Sequence, residues 1–356
     1  MAKPEVFVLK RNVGERLKES DFDGPAREMM QAIGVDPGGR PVFMKPNVTA
    51  GCHRNSGIVT HPTFTGGLVD YFVEDLGLSR DKVLVGETTS PTTSPDKRDL
   101  HWARSGYTEM AREKRIRLID PCEYGNVRIK PGATVHLHNI GITRWAASKD
   151  VFYLNLPKLK THNLGVVTLC GKNQQGVMIP VHDRHLCSDA WDITFGKEGT
   201  RGREWMRVED HEAWQRTIAH MHWDVYLACQ PDFNVVEGIV GRDGNAFYLG
   251  RNFPCGLVIA GYDMPSVDLV ASHLMGFTPG NLVYLQVGIE RGLCPEALED
   301  VDVLAVHDGE VTRVDDITGY KAHPEFRVYR DIPADYEIKD LFDEYDPEAD
   351  DLMESA

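Results

Sequence analysis

Residues 150–176 read DVFYLNLPKLKTHNLGVVTLCGKNQQG, and this stretch decides the predicted fold. It begins with Val151–Asn155, a short run rich in apolar and aromatic residues, which is typical of a buried strand. Lysines and a histidine follow directly, and a segment of small residues then leads to Lys172-Asn173. In open α/β sheets, ligands bind just beyond the carboxyl ends of the strands. The stretch therefore predicts a parallel strand with a binding site at its end.

Short strands and amphipathic helices alternate on both sides of this stretch. Strands are predicted at Val6–Leu9, Pro41–Met44, Lys82–Val85, Arg117–Ile119, Val135–Leu137, Val151–Asn155, Asn234–Val236, Leu257–Ala260 and Val301–Ala305. Helices are predicted at Phe64–Leu76, Trp102–Lys114, Glu209–Cys229, Pro265–Met275 and Asn281–Arg291. The alternation predicts an α/β protein whose mostly parallel sheet, or sheets, are covered by helices on both faces. The length suits one catalytic-type unit over residues 1–330, or two lobes of about 1–150 and 151–330 with a cleft at the strand carboxyl ends.

The charge of the chain is negative and unevenly distributed. Its 356 residues include 39 lysines and arginines against 54 aspartates and glutamates, for a net charge of −15. Because such a surface repels phosphate polymers, we expect no nucleic-acid partner and no anionic-membrane partner. Residues 331–356 hold eleven acidic residues and one basic residue, which leaves −5 for the rest of the chain. We expect this acidic C-terminal tail to be solvated; the alternatives are an interaction arm and a lid over a basic pocket.

Several classes of protein lack support in the sequence. No apolar run has the length of a membrane helix, and the N-terminal residues lack the apolar core of a signal peptide, so we expect a cytoplasmic location. The seven cysteines are dispersed, which excludes an iron–sulfur motif and a disulfide framework. No G-x-G-x-x-G segment follows a strand, so a dinucleotide fingerprint is also missing. The cofactor stays open, with a divalent metal as the candidate.

Polar residues follow five of the predicted strands. They are Lys45 and Asn47 after PVFM, Glu87 after KVLVG, Lys158–His162 after VFYLNLP, Glu237 after FNVV, and Asp263 after LVIAGY. If these strands are parallel, the five clusters lie along one edge of the sheet and form one cleft. Polar loops also follow strands in any α/β protein, which is the alternative explanation.

The lysines of the central stretch predict an anion site in an otherwise acidic protein. Lys158, Lys160 and Lys172, together with Lys45, would bind phosphate or carboxylate, and Thr161 and Asn173 would add hydrogen bonds. If the chain stays extended after Pro157, then Lys158, Lys160 and His162 lie on one face of the strand. His162 is the candidate general base or acid. The alternatives are solvated surface lysines and a histidine satisfied within the core.

Three further histidines are candidates. His61, in Thr60-His61-Pro62, would reach the same cleft or cap the helix that follows it. His182 and His185 are three residues apart and could hold a metal, although their spacing matches no zinc motif.

The sequence resembles the domain-of-unknown-function 362 family, a group of uncharacterised α/β proteins. The motifs that carry the resemblance are Lys45-Pro46-Asn47, Gly57-x-x-Thr60-His61-Pro62, Gly86-Glu87, Gly106-Tyr107, Asn155-x-Pro157-Lys158-x-Lys160-Thr161-His162, Lys172-Asn173-x-x-Gly176 and Gly261-x-Asp263-x-x-x-x-Asp268 before Met275-Gly276. They occur in this order between about residues 40 and 295. Many members also carry a ferredoxin-type cysteine module, which this sequence lacks.

A more distant resemblance links the central stretch to the nickel-pincer lactate racemases. In those enzymes a catalytic histidine precedes a cofactor-bearing lysine by ten residues, as His162 precedes Lys172 here. The resemblance implies proton transfer by His162, an anchoring role for Lys172 and a metal-ligand position near His185. The glycine-glycine-arginine-lysine motif of those enzymes is absent.

Three functional hypotheses follow. The first is an enzyme of the isomerase or lyase type, which acts on a small anionic or carbonyl-bearing metabolite. In it the lysines bind the oxyanion and His162 or His61 transfers a proton, with Glu87 and Glu237 as further acid–base groups. The second is a metal-dependent or ferredoxin-coupled oxidoreductase. The third is a non-catalytic binding or assembly protein. Each is compatible with a homo-oligomer.

Overall fold

A mixed sheet of eleven strands forms the centre of the molecule. The structure is a computed structural model that describes residues 2–14, 16–48, 51–88, 95–162, 165–180, 211–244, 250–322, 325–327 and 341. Its strands are β1 (Glu5–Lys10), β2 (Val42–Pro46), β3 (Val83–Gly86), β4 (Arg117–Ile119), β5 (Asn126–Ile129), β6 (Ile140–Thr143), β7 (Phe152–Leu156), β8 (Lys158–His162), β9 (Val166–Val167), β10 (Phe233–Arg242), β11 (Asn252–Gly261), β12 (Asp302–His307) and β13 (Glu310–Arg313). Strands β5 and β6 form a separate hairpin.

Nine helices are found in these ranges. They are α1 (Ser20–Ile33), α2 (Pro62–Asp70), α3 (Pro95–Arg104), α4 (Tyr107–Lys114), α5 (Arg144–Ala147), α6 (Leu169–Asn173), α7 (His211–Ala228), α8 (Met264–Leu274) and α9 (Val283–Glu290). No helix of the described ranges is long and apolar enough to cross a membrane.

The strand order is β13-β12-β1-β11-β10-β7-β2-β3-β4. Strands β12, β1, β10, β7, β2, β3 and β4 run in one direction, whereas β11 and β13 run the opposite way. The carboxyl ends of β2, β3, β7 and β10 therefore face the same side of the molecule, which positions a site there.

Both faces of the sheet are covered, as the alternation of side chains in β1 illustrates. Phe7 and Leu9 enter an apolar cluster that also contains residues of α1 and α2. Val6 and Val8 enter a second cluster, formed with residues of α8 and α9. A third cluster joins Phe43 and Tyr153 to residues of α7 and β6. Since successive strand residues point to opposite faces, these clusters lie on the two sides of one sheet, and the predicted α/β architecture is confirmed.

Strand β7 continues past Pro157 as β8. Proline has no N–H to donate to a neighbouring strand, and β7 ends its pairing with β2 at Leu156. The chain then stays extended, and Lys158 becomes the register partner of Glu237 in the middle of β10. The Pro157 carbonyl accepts the Glu237 backbone N–H at 2.9 Å. The chain is thus extended after Pro157, which is the condition under which Lys158, Lys160 and His162 share one face of the strand.

Most predicted elements are present, and the exceptions have local causes. No strand forms at Val135–Leu137, because the Asp224 carboxylate accepts the backbone N–H groups of Val135, His136 and Leu137 at 2.8–3.2 Å. The helix predicted at Trp102–Lys114 is divided into α3 and α4 at Gly106, whose φ of 77° suits glycine. Helix α1 was not predicted.

The described part of the acidic C-terminal tail, Leu341, is attached to the body. Leu341 is 1% exposed and belongs to the apolar cluster of α1 and α2. Its carbonyl accepts the Leu17 backbone N–H at 2.9 Å. Leu341 is therefore not solvated, contrary to the expectation for the tail. Residues 328–340 and 342–356 lie outside the described residues.

The Leu341→Ala variant should lose about 2–5 kcal/mol of unfolding free energy, because it removes a buried side chain and leaves a cavity. Denaturant titration measures the loss. Leu100→Ala is the matched control: Leu100 is 57% exposed, and its truncation should change the free energy by no more than about 0.5 kcal/mol. Equal stabilities of the two variants would contradict the burial of Leu341.

Candidate functional site

Most of the predicted site residues, together with Arg242 and His222, form three adjoining groups near the carboxyl ends of β2 and β3, along β8 and in β10. The first is the Lys45 cluster, composed of Lys45, Glu87 and Asn173. The second is the Lys158 cluster, composed of Lys158, Glu237 and His61. The third is the Lys160 cluster, composed of Lys160, His162, Lys172, Arg242 and His222.

The Lys45 cluster is a buried ion pair with a full set of hydrogen bonds. Lys45 Nζ donates to Glu87 Oε2 at 2.6 Å, to Asn173 Oδ1 at 2.9 Å and to the Pro46 carbonyl at 3.0 Å. Lys45 and Glu87 are 1% and 2% exposed. Gly176 packs so closely that a Cβ there would lie 2.0 Å from Lys45 Cε. Because burying an ion is expensive unless it is paired, this cluster is held rigidly.

A chain of asparagine side chains connects the Lys45 cluster to the sheet. Asn173 Nδ2 donates to Asn155 Oδ1 at 2.8 Å, and Asn155 Nδ2 donates to Asn234 Oδ1 at 3.0 Å. All three amides are buried and joined to one another. The chain fixes the C-terminal end of α6 against β7 and β10.

The Lys158 cluster also contains a buried ion pair. Lys158 Nζ lies 2.5 Å from Glu237 Oε2, and this oxygen also accepts the His61 backbone N–H at 3.3 Å. Burial lowers the pKa of the Lys158 amine, and Glu237 acts in the opposite direction. Glu237 was expected to follow the end of a strand. It lies inside β10 instead, because β10 continues to Arg242 beside β8.

His61 has its ring nitrogens engaged locally. Nδ1 accepts the Thr63 backbone N–H at 3.3 Å, which makes His61 the N-cap of α2, and Nε2 lies 3.1 Å from Asn55 Oδ1. The ring stacks on Phe22 with a centroid separation of 3.8 Å. Burial foremost, and then the charge of Lys158, lower the pKa of His61 well below its usual value. His61 therefore caps α2, which was the alternative role considered for it, and its ring lies near Lys158.

The Lys160 cluster brings several basic groups together in a buried place. Strand alternation puts Lys158, Lys160 and His162 on one face of β8. Arg242 of β10 is the register partner of Lys160. Burial lowers the pKa of the Lys160 amine well below its usual value, and the charges of Lys172 and Arg242 lower it further. A buried amine with cationic neighbours favours its neutral form.

His162 is held neutral by the same surroundings. Burial lowers its pKa well below the usual value, and Lys172, Lys160 and His222 lower it further. The Gly165 backbone N–H donates to His162 Nδ1 over 3.4 Å, which is the long end of a hydrogen bond. A Cβ at Gly165 would lie 3.7 Å from Lys172 Cδ, so the lysine stem runs beside this loop.

Helix α6, which carries Lys172, is fixed at its start by Asp268. The Asp268 carboxylate accepts the backbone N–H groups of Cys170 at 2.7 Å and Gly171 at 2.8 Å, and the Tyr284 hydroxyl at 3.0 Å. A Cβ at Gly171 would lie 2.0 Å from the Tyr284 hydroxyl oxygen, so only glycine permits this approach. Asp268 therefore fixes the helix that carries Lys172, whose Nζ donates to Gln175 Oε1 at 3.1 Å.

The backbone is strained in β9 and at the first residue of α6. Val166 has φ = 63° and Leu169 has φ = 37°, in the left-handed region that side chains other than glycine rarely adopt. Strain of about 1–3 kcal/mol per residue persists only where the surroundings impose it, and it is concentrated at functional sites.

The remaining predicted residues have structural contacts or lie elsewhere. Asn47 Nδ2 donates to the Ile58 carbonyl at 2.8 Å, and Thr161 Oγ1 donates to the Gly244 carbonyl at 2.8 Å. Asp263 is not at the shared edge. It follows β11, which runs antiparallel with Gly261 beside Asn234 at the start of β10, and its carboxylate caps α8 through the Ser266 N–H at 3.1 Å.

The expected metal ligands His182 and His185 lie outside the described residues. Within the described ranges, no group of three or more histidine, cysteine, aspartate or glutamate side chains is arranged to hold a metal ion.

Three groups of this site were not predicted: Arg242, His222 and the Asp268–Tyr284 pair. Asp268 was visible only as part of a motif, and Arg242 was visible only as a charge at the end of an apolar run. Their positions depend on the pairing of β10 with β8 and on the packing of α8 and α9 against α6.

Replacement of one member of the Lys45–Glu87 pair should lower the unfolding free energy strongly. Replacement of both should lower it by less than the sum of the two single losses. Lys45→Met and Glu87→Gln should each lose about 3–5 kcal/mol, because each leaves a buried charge without its partner. A double-mutant cycle by denaturant titration measures the coupling. The matched control is the Arg313–Asp315 pair, with side chains 60% and 96% exposed, whose coupling should not exceed about 1 kcal/mol. Strict additivity at Lys45 and Glu87 would contradict the ion pair.

The unfolding free energy should depend on pH through the titration of Asp268. Burial raises its pKa from 3.8 to about 6, against the opposing hydrogen bonds from Gly171 and Cys170. Because the folded state holds the proton more tightly than the unfolded state, the contribution of Asp268 to the unfolding free energy should fall as the pH rises from about 4 to about 6, by about 3 kcal/mol.

Denaturant titrations over this pH range measure that decrease. Asp268→Asn should remove it, whereas Asp315→Asn, at a residue whose side chain is 96% exposed, should retain it. Identical pH profiles for the wild type and Asp268→Asn would show that Asp268 titrates alike in the folded and unfolded states.

Comparisons with known proteins identify sequences that are related to this chain. A family model described as a domain of unknown function (DUF362) matches residues 42–273, a range that contains all three groups. A relative is the "Thylakoid-associated protein sll1697" of Synechocystis sp. (strain ATCC 27184 / PCC 6803 / Kazusa), which is 24% identical over 278 residues, or 77% of this chain and 76% of the relative. No solved structure matches the chain. The family model covers more than half of the chain, and the protein belongs to the DUF362 family.

Proposed function

We propose that the protein is an enzyme that binds a small anionic, carbonyl-bearing metabolite and transfers a proton on it through His162. The observation that carries the proposal is a buried histidine at the end of β8, two residues from Lys160 on the same strand face, whose pKa is lowered by burial and by the charge of Lys172. An imidazole that is neutral at physiological pH exchanges protons with a substrate more readily than a permanently charged side chain does.

Charge would bind the substrate. Lys172 is half-buried and lies close enough to His162, His222 and Lys160 to lower the pKa of each. A cation in a buried setting attracts an anionic group more strongly than it does in water. Lys172 and Arg242 would hold a carboxylate or phosphate, while Lys160 polarises the carbonyl oxygen.

The surrounding ion pairs would supply rigidity. The Lys45 and Lys158 clusters are buried and hydrogen-bonded, so they keep α6 and β8 in place without reorganising during the reaction. Removal of a proton next to the carbonyl would give an enolate, whose charge Lys172 and Arg242 would stabilise. Isomerisation or elimination is the reaction class that such groups support.

The proposal predicts exchange of carbon-bound hydrogen with solvent. The protein in D2O should exchange the proton next to the carbonyl of at least one member of a panel of 2-oxo acids, 3-oxo acids and phosphorylated ketones, as followed by proton NMR. His162→Gln should slow this exchange by about 100-fold or more, because general acid–base catalysis supplies a factor of that order.

His307→Gln is the matched control, since the His307 side chain is 75% exposed and the exchange rate should not change. Thermal melting of each variant separates loss of folding from loss of activity. Exchange by folded His162→Gln at the wild-type rate would contradict the role of His162.

The other sequence hypotheses remain predictions. Metal analysis and a visible spectrum of the purified protein test the metal-dependent or ferredoxin-coupled oxidoreductase. A cytoplasmic location and a homo-oligomer also remain predictions, and the name of the thylakoid-associated relative describes that protein.

A further inference from the structure

Residues 133–137, which form turns and bends between β5 and β6, are held against α7 by one buried carboxylate. The Asp224 carboxylate is 0% exposed and accepts the backbone N–H of His136 at 2.8 Å. Arg291 Nη2 donates to the same carboxylate at 2.7 Å and to the Ala133 carbonyl at 3.0 Å. The segment therefore has a fixed position on the helix although it is not a strand.

The same two groups position a histidine of α7. His220 lies four residues before Asp224, so the two side chains share one face of the helix. Arg291 Nη1 donates to the His220 carbonyl at 3.0 Å. The rings of His136 and His220 meet edge to face, with centroids 5.6 Å apart and an interplanar angle of 78°. Asp224 and Arg291 thus fix the backbone that carries each of these two histidines.

This ring separation suits two imidazoles that bind one metal ion. With metal–nitrogen distances of about 2.0–2.1 Å, two imidazole ligands of one ion have ring centres about 4.5–6 Å apart. His220 Nδ1 is buried and has no hydrogen-bond partner among the described residues, and such a nitrogen calls for an ion or a water. His136 is exposed, so its ring can turn to present a nitrogen, and solvent reaches the pair.

The charges around the histidine pair are balanced. The two nearby arginines each have a carboxylate partner, which is Asp224 for Arg291 and Glu290 for Arg216. The repulsion of a divalent cation by these arginines is therefore reduced. Imidazole nitrogen is a preferred ligand of zinc, copper and nickel, whereas magnesium and calcium take oxygen ligands. The donor atoms thus indicate a transition metal.

We propose that His136 and His220 bind a divalent transition metal ion such as Zn²⁺, with water in its remaining coordination positions. The pair supplies two ligands, and within the described ranges no group of three or more metal-binding side chains is present. The ion would join residues 133–137 to α7 and stabilise the folded chain by binding to it. Neither histidine belongs to the three clusters of the candidate site, so this site does not depend on the proposed function.

Isothermal titration calorimetry of the full-length protein with ZnCl₂ tests the proposal. The wild type should bind one Zn²⁺ at this pair, and MgCl₂ should give no such event. His136→Gln and His220→Gln should each weaken the Zn²⁺ event by more than about tenfold, because loss of even an outer partner of a metal ligand costs about 10–100-fold. The double variant should bind little more weakly than either single variant, since one remaining imidazole holds the ion poorly.

His138→Gln is the matched control. His138 is exposed and lies two residues beyond His136, and its Nδ1 is 2.7 Å from Thr134 Oγ1, so its replacement should leave the Zn²⁺ event unchanged. Absence of a Zn²⁺ event in the wild type, an unchanged event in folded His136→Gln, or an equal loss in His138→Gln would overturn the proposal.

Thermal melting provides a second readout. Zn²⁺ should raise the melting temperature of the wild type and of His138→Gln more than that of His136→Gln, because a ligand stabilises only the state that binds it. Melting without Zn²⁺ shows whether each variant folds, and the exposed position of His136 makes His136→Gln decisive if His220→Gln does not fold. Equal Zn²⁺-dependent rises in the wild type and in His136→Gln would also overturn the proposal.

Discussion

Burial of lysine is the constraint on which this edge of the sheet depends. Lys45, Lys158 and Lys160 are each 1% exposed, and removal of an ammonium group from water costs several kcal/mol. A protein offsets this cost with a carboxylate, or it leaves the amine neutral. Glu87 and Glu237 provide the first solution for Lys45 and Lys158. Burial lowers the pKa of Lys160 well below its usual value, and the charges of Lys172 and Arg242 lower it further.

The position of α6 connects the ion pairs to the rest of the molecule. Asn173 joins its last turn to Lys45 and to the asparagines of β7 and β10. Asp268 and Tyr284 hold its first turn from α8 and α9. The helix is only five residues long, so it has little stability of its own and takes its geometry from these contacts. The strained Val166 and Leu169 show that the surroundings, and not local preference, determine the path of the chain here.

Local patterns predicted much of the fold and the composition of the site. The apolar run before Pro157 and the polar row after it gave both the strand and the common face of Lys158, Lys160 and His162. The partners of those residues were not predictable, since Glu237 and Arg242 are about 80 residues away and reach β8 only because β10 extends beside it. Asp263 was assigned to the shared edge because strand direction cannot be derived from a strand's own residues, and β11 is antiparallel.

The pairing of β8 with β10 also determines how such a site can change. Lys158 and Lys160 have identical side chains, so their different surroundings arise from Glu237 and Arg242 on β10 and from Lys172 on α6. A carboxylate on β10 favours the charged form of the lysine opposite it on β8, and a cation on β10 disfavours that form. Substitutions in β10 would therefore change the charge beside each lysine while the sequence of β8 stays the same.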